Sequence, residues 1–349
     1  MEYRPLGTSG LKVSQICLGT MTWGEQNSQD EAFAQMDAAV AAGVNFFDAA
    51  ELYPVPPRPE TQGRTEDYIG NWLTARGSRD KIVLATKVMG RSDRAGYRPG
   101  DEGPCLNRAH ITFALERSLK RLQTDYVDLY QLHWPDRLLP IFGTGPEYVH
   151  QIAEDETSLQ ETLSVLADLV KDGKIRHIGL SNETPWGLMT CLQKSRELGL
   201  PRVQSVQNSF HLLNRTYEQG LSEVSLRENA GLLAYSPLAM GYLTGKYRHG
   251  ALPDNSRFAT FPNFNSRYRR PGVVPAVEKY AQLAERLGVS LTAMALKFCD
   301  SRDFTTSTII GATTLDQLAE NIAAIELEWT QEMEDGVKAI HMENPNPAP

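Results

Sequence analysis

The chain has 349 residues, 41% apolar, 22% charged and 8% aromatic, a globular composition that excludes a disordered or collagen-like protein. With 35 Lys and Arg against 43 Asp and Glu the formal charge is −8, which leaves no overall basic footprint for nucleic acid. No apolar run approaches the roughly 20 residues of a membrane helix, and the opening Met1–Pro5 reads as mature protein rather than as a leader. The four cysteines (Cys17, Cys105, Cys191, Cys299) are scattered without a C-x-x-C pair, and no histidine pair has metal-ligand spacing. A cytoplasmic protein with reduced thiols, binding neither metal, membrane nor nucleic acid, is expected. At about 150 residues per domain the length suggests two domains, but α/β barrels exceed about 250 residues as one unit.

The first readable element is a hairpin, in which Glu2–Leu6 and Leu11–Ser14 flank Gly7-Thr8-Ser9-Gly10. Beyond it, short β-rich runs alternate with amphipathic stretches. Strands are expected at Ile16–Leu18, Asn45–Asp48, Ile82–Thr86, Val127–Leu132, His177–Leu180, Ser205–Gln207, Leu232–Tyr235 and Thr308–Ile310. Helices are expected at Asp30–Ala42, Glu66–Ala75, Arg108–Leu122, Leu159–Lys171, Pro185–Leu198, Tyr217–Glu228 and Leu315–Ile325. Thr184 and Pro185 supply an N-cap and a first-turn proline, and Gly199 with Pro201 closes that helix. Two further helical stretches, Glu278–Leu287 and Leu291–Cys299, precede the eighth strand. Thr330–His341 adds one more helix, and the proline-rich Asn344–Pro349 is expected to fray.

Eight strands, each followed by a helix, make a closed (β/α)8 TIM barrel, here with an N-terminal hairpin, an extra C-terminal helix and one domain over residues 1–349. A doubly wound sheet is the competing architecture. It calls for G-x-G-x-x-G after the first strand, where this chain has Gly19-Thr20-Met21-Thr22-Trp23-Gly24. Three long irregular stretches, Pro54–Gly63, Pro135–Thr157 and Ala239–Pro271, follow strand ends, the face on which barrel enzymes carry their sites.

In such a barrel Asp48, Tyr53, Lys87 and His133 all open onto one mouth. Singly each has an ordinary reading, as a cap, a packing ring or a solvated charge. Together they suit the reduction of a carbonyl. A tyrosine hydroxyl with a reference pKa near ~10 is a poor proton donor at neutral pH. An ammonium about 4 Å away stabilises the phenolate by roughly 4 kcal/mol at an effective dielectric near ~20. Asp48 would hold that ammonium charged, and His133 would orient the carbonyl oxygen. No side chain supplies a hydride, so a nicotinamide cofactor is implied. A strand-end Lys87 also admits a Schiff-base lyase.

The motifs Gly43-Val44-Asn45-Phe46-Phe47-Asp48-Ala49-Ala50, Leu119–Leu129, Gly179-Leu180-Ser181-Asn182 and Tyr235-Ser236-Pro237-Leu238, in this order, resemble those of the aldo-keto reductases over about residues 3 to 340. Met21–Asn27 with Tyr53–Gly63 points to a bacterial branch of that family. The resemblance implies an NADPH/NADP+-dependent reductase of a small-molecule aldehyde or ketone, with Tyr53 as proton donor and Asp48, Lys87 and His133 completing a tetrad. Members that reduce carbon–carbon double bonds carry glutamate at the histidine position, so His133 implies carbonyl reduction. Gly19, Thr20, Met21 and Asp48 are implied beside the cofactor. Ser181, Asn182 and Gln207 are implied on its carboxamide, and Tyr235 on its nicotinamide ring. The loop Ser236–Lys246, with Ser236, Pro237, Leu238, Gly241, Leu243, Gly245 and Lys246, is implied on the pyrophosphate. Gly311, Thr313, Gln317, Glu320 and Asn321 are implied at the adenosine end. Read from the residues alone, that last segment is either a phosphate site or a simply capped helix. The resemblance makes Arg257, in the seventh loop, the candidate cation for a 2′-phosphate, with Glu320 then facing the adenine amino group. Trp23 and Trp134 either wall the substrate pocket with Tyr53 and His133 or pack at its rim, and Cys17 reads as a core filler. The insertions at Pro54–Gly63 and Pro135–Thr157 border the mouth, so substrate preference does not carry over. The same resemblance admits a cofactor-binding regulatory or sensor subunit, as potassium-channel β subunits are.

Overall fold

The computed structural model describes residues 1–142 and 147–349; within the mouth loop expected at 135–157, residues 143–146 lie outside the described residues. β1 (Tyr3–Pro5) and β2 (Lys12–Ser14) pair antiparallel as the expected hairpin. The remaining strands are β3 (Ile16–Gly19), β4 (Phe46–Asp48), β5 (Val83–Val88), β6 (Val127–Leu132), β7 (Ile175–Ser181), β8 (Val203–Ser209), β9 (Gly231–Tyr235) and β10 (Thr305–Ile310). They pair in parallel, in chain order, and β10 returns to β3 to close the barrel. Closure leaves no edge strand, and it is possible because nearly every strand residue is buried, inward or against a helix.

The helices are α1 (Gln29–Ala41), α2 (Arg64–Arg76), α3 (Arg108–Leu122), α4 (Leu159–Lys171), α5 (Pro185–Leu198), α6 (Leu221–Glu228), α7 (Arg257–Thr260), α8 (Val273–Arg286), α9 (Leu291–Asp300), α10 (Leu315–Ala323) and α11 (Gln331–Glu343). Local chemistry sets their ends. Ser28 and Glu31 form a capping box on α1, and Asn107 accepts from the His110 N–H at the start of α3. Thr184 caps α5, which stops at Gly199 in the left-handed region with φ 65°. The helix expected over Tyr217–Glu228 is shorter, because Gly220 at φ 101° separates a 3₁₀ turn, Thr216–Glu218, from α6.

Inside the barrel, Cys17, Phe46, Ala85, Leu129, Leu233 and Ile309 form an apolar plug, closed from below by Leu6 and Val13 of the hairpin. Two residues further along three of these strands, on the same inward face, stand Asp48, Lys87 and Gln131. The barrel is therefore oily at its base and polar at its mouth.

The tail does not fray. The Ala348 N–H donates to the Leu213 carbonyl at 3.0 Å, Asn346 Oδ1 accepts from the Arg215 N–H at 2.6 Å, and Ala348 is fully buried. Sequence polarity hides this docking, because the contacts are made by backbone groups, the Asn346 amide and the small Ala348 side chain.

Candidate active site

At the polar level of the barrel, Lys87 Nζ donates to Asp48 Oδ2 at 2.6 Å, to the Ala49 carbonyl at 2.9 Å and to the Tyr53 hydroxyl at 3.3 Å. Strand register produces the pair, since β4 and β5 lie side by side with Asp48 opposite Ala85. The other carboxylate oxygen, Oδ1, accepts from Gln131 Nε2 at 2.9 Å and Gln207 Nε2 at 2.8 Å. Asp48 thus meets its burial with charge and hydrogen bonds on both oxygens. Burial works against the Lys87 charge, but Asp48 and Tyr53 outweigh it and hold the ammonium above its ordinary pKa.

Tyr53 corrects the electrostatic expectation. Lys87 does pull its pKa down, but burial is the larger effect and Asp48 adds to it, so the hydroxyl lies above its ordinary value. It is a hydroxyl at neutral pH, hydrogen-bonded to an ammonium that can stabilise a developing phenolate. His133, with its ring centre 5.8 Å from that of Tyr53, has its pKa pushed well below the ordinary value by burial and by Lys87. Its Nδ1 is buried with no hydrogen-bond partner among the described residues. A neutral imidazole beside a phenol can donate to or accept from a substrate oxygen without carrying charge. A charged, Asp-clamped lysine also lacks the free amine lone pair that Schiff-base chemistry requires.

Asp48, Tyr53 and His133 floor a cavity of about 1880 Å³ at the strand C-termini, with Lys87 buried behind them. Its walls include Gly19, Thr20, Met21, Ser181, Asn182, Gln207, Tyr235, Ser236, Pro237, Leu238, Gly241, Lys246, Arg257, Gly311, Thr313, Gln317, Glu320 and Asn321. Trp134 also lines it, with its indole donating to the Arg91 carbonyl at 2.8 Å. Trp23 does not. It is fully buried in the core beneath α1, where its indole donates to Gln35 Oε1 at 3.1 Å. Leu243 is likewise fully buried in the core, and Gly245 forms a left-handed turn (φ 81°) outside the wall. The position-by-position resemblance could not distinguish a loop's cavity side from its anchored side.

Several wall groups already have internal partners: Tyr235 donates to Asn182 Oδ1 at 2.7 Å, Asn182 Nδ2 to the His133 carbonyl at 2.9 Å, and Asn321 Nδ2 to the Gly311 carbonyl at 3.1 Å. The cations differ. Lys246, Arg257 and Arg267 all face the cavity, and among the described residues none has a carboxylate at ion-pair distance. Burial and the neighbouring Arg257 lower the Lys246 pKa, and burial lowers that of Arg257. Arg267 is buried, with Nε unpartnered. The loop that leads into Lys246 turns through left-handed backbone at Ser236, Ala239, Met240 and Gly241. Unneutralised cations in a half-buried cradle suit an anionic ligand, and their donor chemistry fits the phosphates of a dinucleotide.

Sequence reasoning missed three features. Gln131 completes the Asp48 clamp. Arg267 joins the cation wall. The segment between β5 and α3 forms a fourth mouth loop, pinned by the buried Arg98–Glu51 pair at 2.7 Å and lining the cavity from Arg91 to His110. The run of Gly90, Gly96, Gly100 and Gly103 with Pro99 and Pro104 was a readable signal for that loop.

A charged lysine held off covalent chemistry, below a cation-walled well, places the chain with barrel oxidoreductases rather than with Schiff-base barrels. The chain belongs to the aldo/keto reductase family, whose sequence model matches residues 15–341. It is 48% identical over 351 aligned residues to Protein tas of Escherichia coli, with 100% of both chains covered. It is 32% identical to a probable voltage-gated potassium channel subunit beta of Oryza sativa, covering 99% of this chain and 98% of that one. It is 30% identical to L-glyceraldehyde 3-phosphate reductase of Escherichia coli, covering 93% and 88%. No helix among the described residues is long and apolar enough to cross a membrane.

Proposed function

We propose that the protein is an NADPH-dependent reductase of small aldehydes or ketones. The observation that carries this reading is Lys87 Nζ, bridging the Asp48 carboxylate at 2.6 Å and the Tyr53 hydroxyl at 3.3 Å beside a neutral His133. The cofactor, when bound, supplies hydride to the carbonyl carbon. Tyr53 gives its hydroxyl proton to the carbonyl oxygen, and Lys87 stabilises the phenolate left behind. Asp48 keeps Lys87 charged and aimed, and His133 fixes the oxygen within reach of Tyr53. Lys246, Arg257 and Arg267 hold the phosphates, and the charge of Arg257 supports NADPH over NADH. The similarity to L-glyceraldehyde 3-phosphate reductase supports a carbonyl substrate.

Tyr53→Phe removes the proton and keeps the ring. Turnover of an aldehyde such as 4-nitrobenzaldehyde, followed by NADPH oxidation, should fall by about 10²-fold or more while NADPH still quenches protein fluorescence. Near wild-type turnover in that variant would sink the assignment. The similarity to a potassium channel β subunit supports a second reading, a cofactor-binding regulatory subunit. Tight cofactor binding with very slow wild-type turnover across a carbonyl panel would favour it.

A further inference from the structure

The fourth mouth loop carries a reactive arrangement that the tetrad does not use. Cys105 Sγ lies 3.2 Å from His110 Nδ1, and His110 Nε2 lies 3.3 Å from Glu102 Oε2. The backbone N–H of Cys105 donates to the same Nδ1 at 3.1 Å. That bond fixes the tautomer, placing the ring proton on Nε2, toward Glu102, and leaving Nδ1 an acceptor whose single lone pair is shared between the Cys105 N–H and the adjacent sulfur. Helix capping holds the ring in place, since Asn107 Oδ1 accepts the His110 N–H at 2.8 Å on the first turn of α3. Glu102, Cys105 and His110 all line the large cavity. Cys17, Cys191 and Cys299 are buried, whereas Cys105 is partly accessible. Burial drives the other three thiol pKa values up, Cys191 to about 12, and leaves them inert.

We propose that Cys105 is a covalent acceptor site for α,β-unsaturated aldehydes entering the cavity, with His110 as the base and Glu102 as its orienting carboxylate. The ligand class deepens the reductase reading, because an enal carries both the carbonyl suited to the cavity floor and a soft electrophilic carbon. The step is an addition and needs no oxidant. His110 Nδ1 gives up the Cys105 backbone N–H and takes the thiol proton while sulfur bonds to the β-carbon; the C=C electron pair moves to the α-carbon and carbonyl as an enolate. The α-carbon then takes a proton back, His110 returns to neutral, and the adduct contains every atom of the aldehyde. Burial, Asp136 and Asp155 hold the thiol above its ordinary pKa, while the Asn107 backbone N–H and Arg91 pull it down. Cys105 therefore rests protonated, and the base is required in the step itself.

The test is to expose the full chain to acrolein, fix adducts with borohydride and map them by mass spectrometry, with iodoacetamide run in parallel as a thiol probe independent of any carbonyl site. Both reagents should modify Cys105 and leave Cys17, Cys191 and Cys299 untouched. His110→Gln keeps an acceptor for the Cys105 N–H but cannot take the thiol proton. It should slow both reactions about tenfold at pH 7, the two proteins converging at a pH where the thiol ionises unaided. Glu102→Gln should slow them less. Modification of the buried cysteines instead, equal rates in His110→Gln at pH 7, or iodoacetamide labelling without acrolein labelling each overturns the proposal. Failure of the reductase reading would appear in Tyr53→Phe turnover and would leave the iodoacetamide result unchanged.

Discussion

At the residue scale, the barrel mouth is governed by which buried groups carry charge. Asp48 and Lys87 are buried as a pair, while His133 and His211 are buried neutral. His211, held to about 3 by burial and Arg267, accepts the Leu213 N–H at 3.2 Å and faces the Tyr268 hydroxyl. A histidine neutral in the fold and free to protonate when unfolded gives the unfolded chain the extra proton below about pH 6.5. Stability therefore falls as pH drops through that value, by about 2 kcal/mol per such histidine between pH 7 and pH 5. Urea midpoints at the two pH values should show the loss, and His211→Gln should reduce it by about 2 kcal/mol. An unchanged pH dependence in the variant would show that His211 protonates in the folded state. The clustering of Asp48, Tyr53, Lys87 and His133 was legible because all four residues sit at or just after strand ends. The state of Tyr53 was not, because the amount of barrel wall burying it is a tertiary quantity that outweighs one lysine.

At the scale of elements, the strand and helix order followed from periodicity and caps, and α3, α4 and α5 have the residue limits read from the sequence. Elements whose role depends on distant partners were harder to read. Trp23 follows a barrel strand, as a pocket residue would, but the site under α1 takes its ring. The tail has the composition of a loose end and is pinned at Leu213, Arg215 and Gly272. Deleting residues 345–349 should cost about 1–3 kcal/mol, since it removes two cross-chain hydrogen bonds and a buried Ala348. A lowered Tm with unchanged far-UV circular dichroism would register that loss. An unchanged Tm would show the contact to be energetically idle. The cluster of Glu102, Cys105 and His110 has short spacing in sequence, yet it gains meaning only once capping of α3 aims the imidazole back at the sulfur.

At the scale of the whole molecule, a net charge of −8 coexists with a cavity wall on which Lys246, Arg257 and Arg267 lack carboxylate partners among the described residues. Under the proposed reductase function, the anionic cofactor is drawn to this local field against the overall charge. The NADPH dissociation constant should therefore rise with salt, and Arg257→Met should flatten that dependence and narrow the preference over NADH. Fluorescence titration between about 0.05 and 0.5 M NaCl tests both, and a salt-independent affinity would remove the cations from the cofactor's account.

The hairpin at the barrel base has a consequence for traffic. With Leu6 and Val13 sealing the floor, the well opens at one end only, and everything that enters must leave by the same door. A molecule seated along the inner wall is then covered by whatever arrives after it. In the proposed reductase cycle departure would then reverse arrival, with the small carbonyl compound last in and first out and the larger cofactor held beneath it.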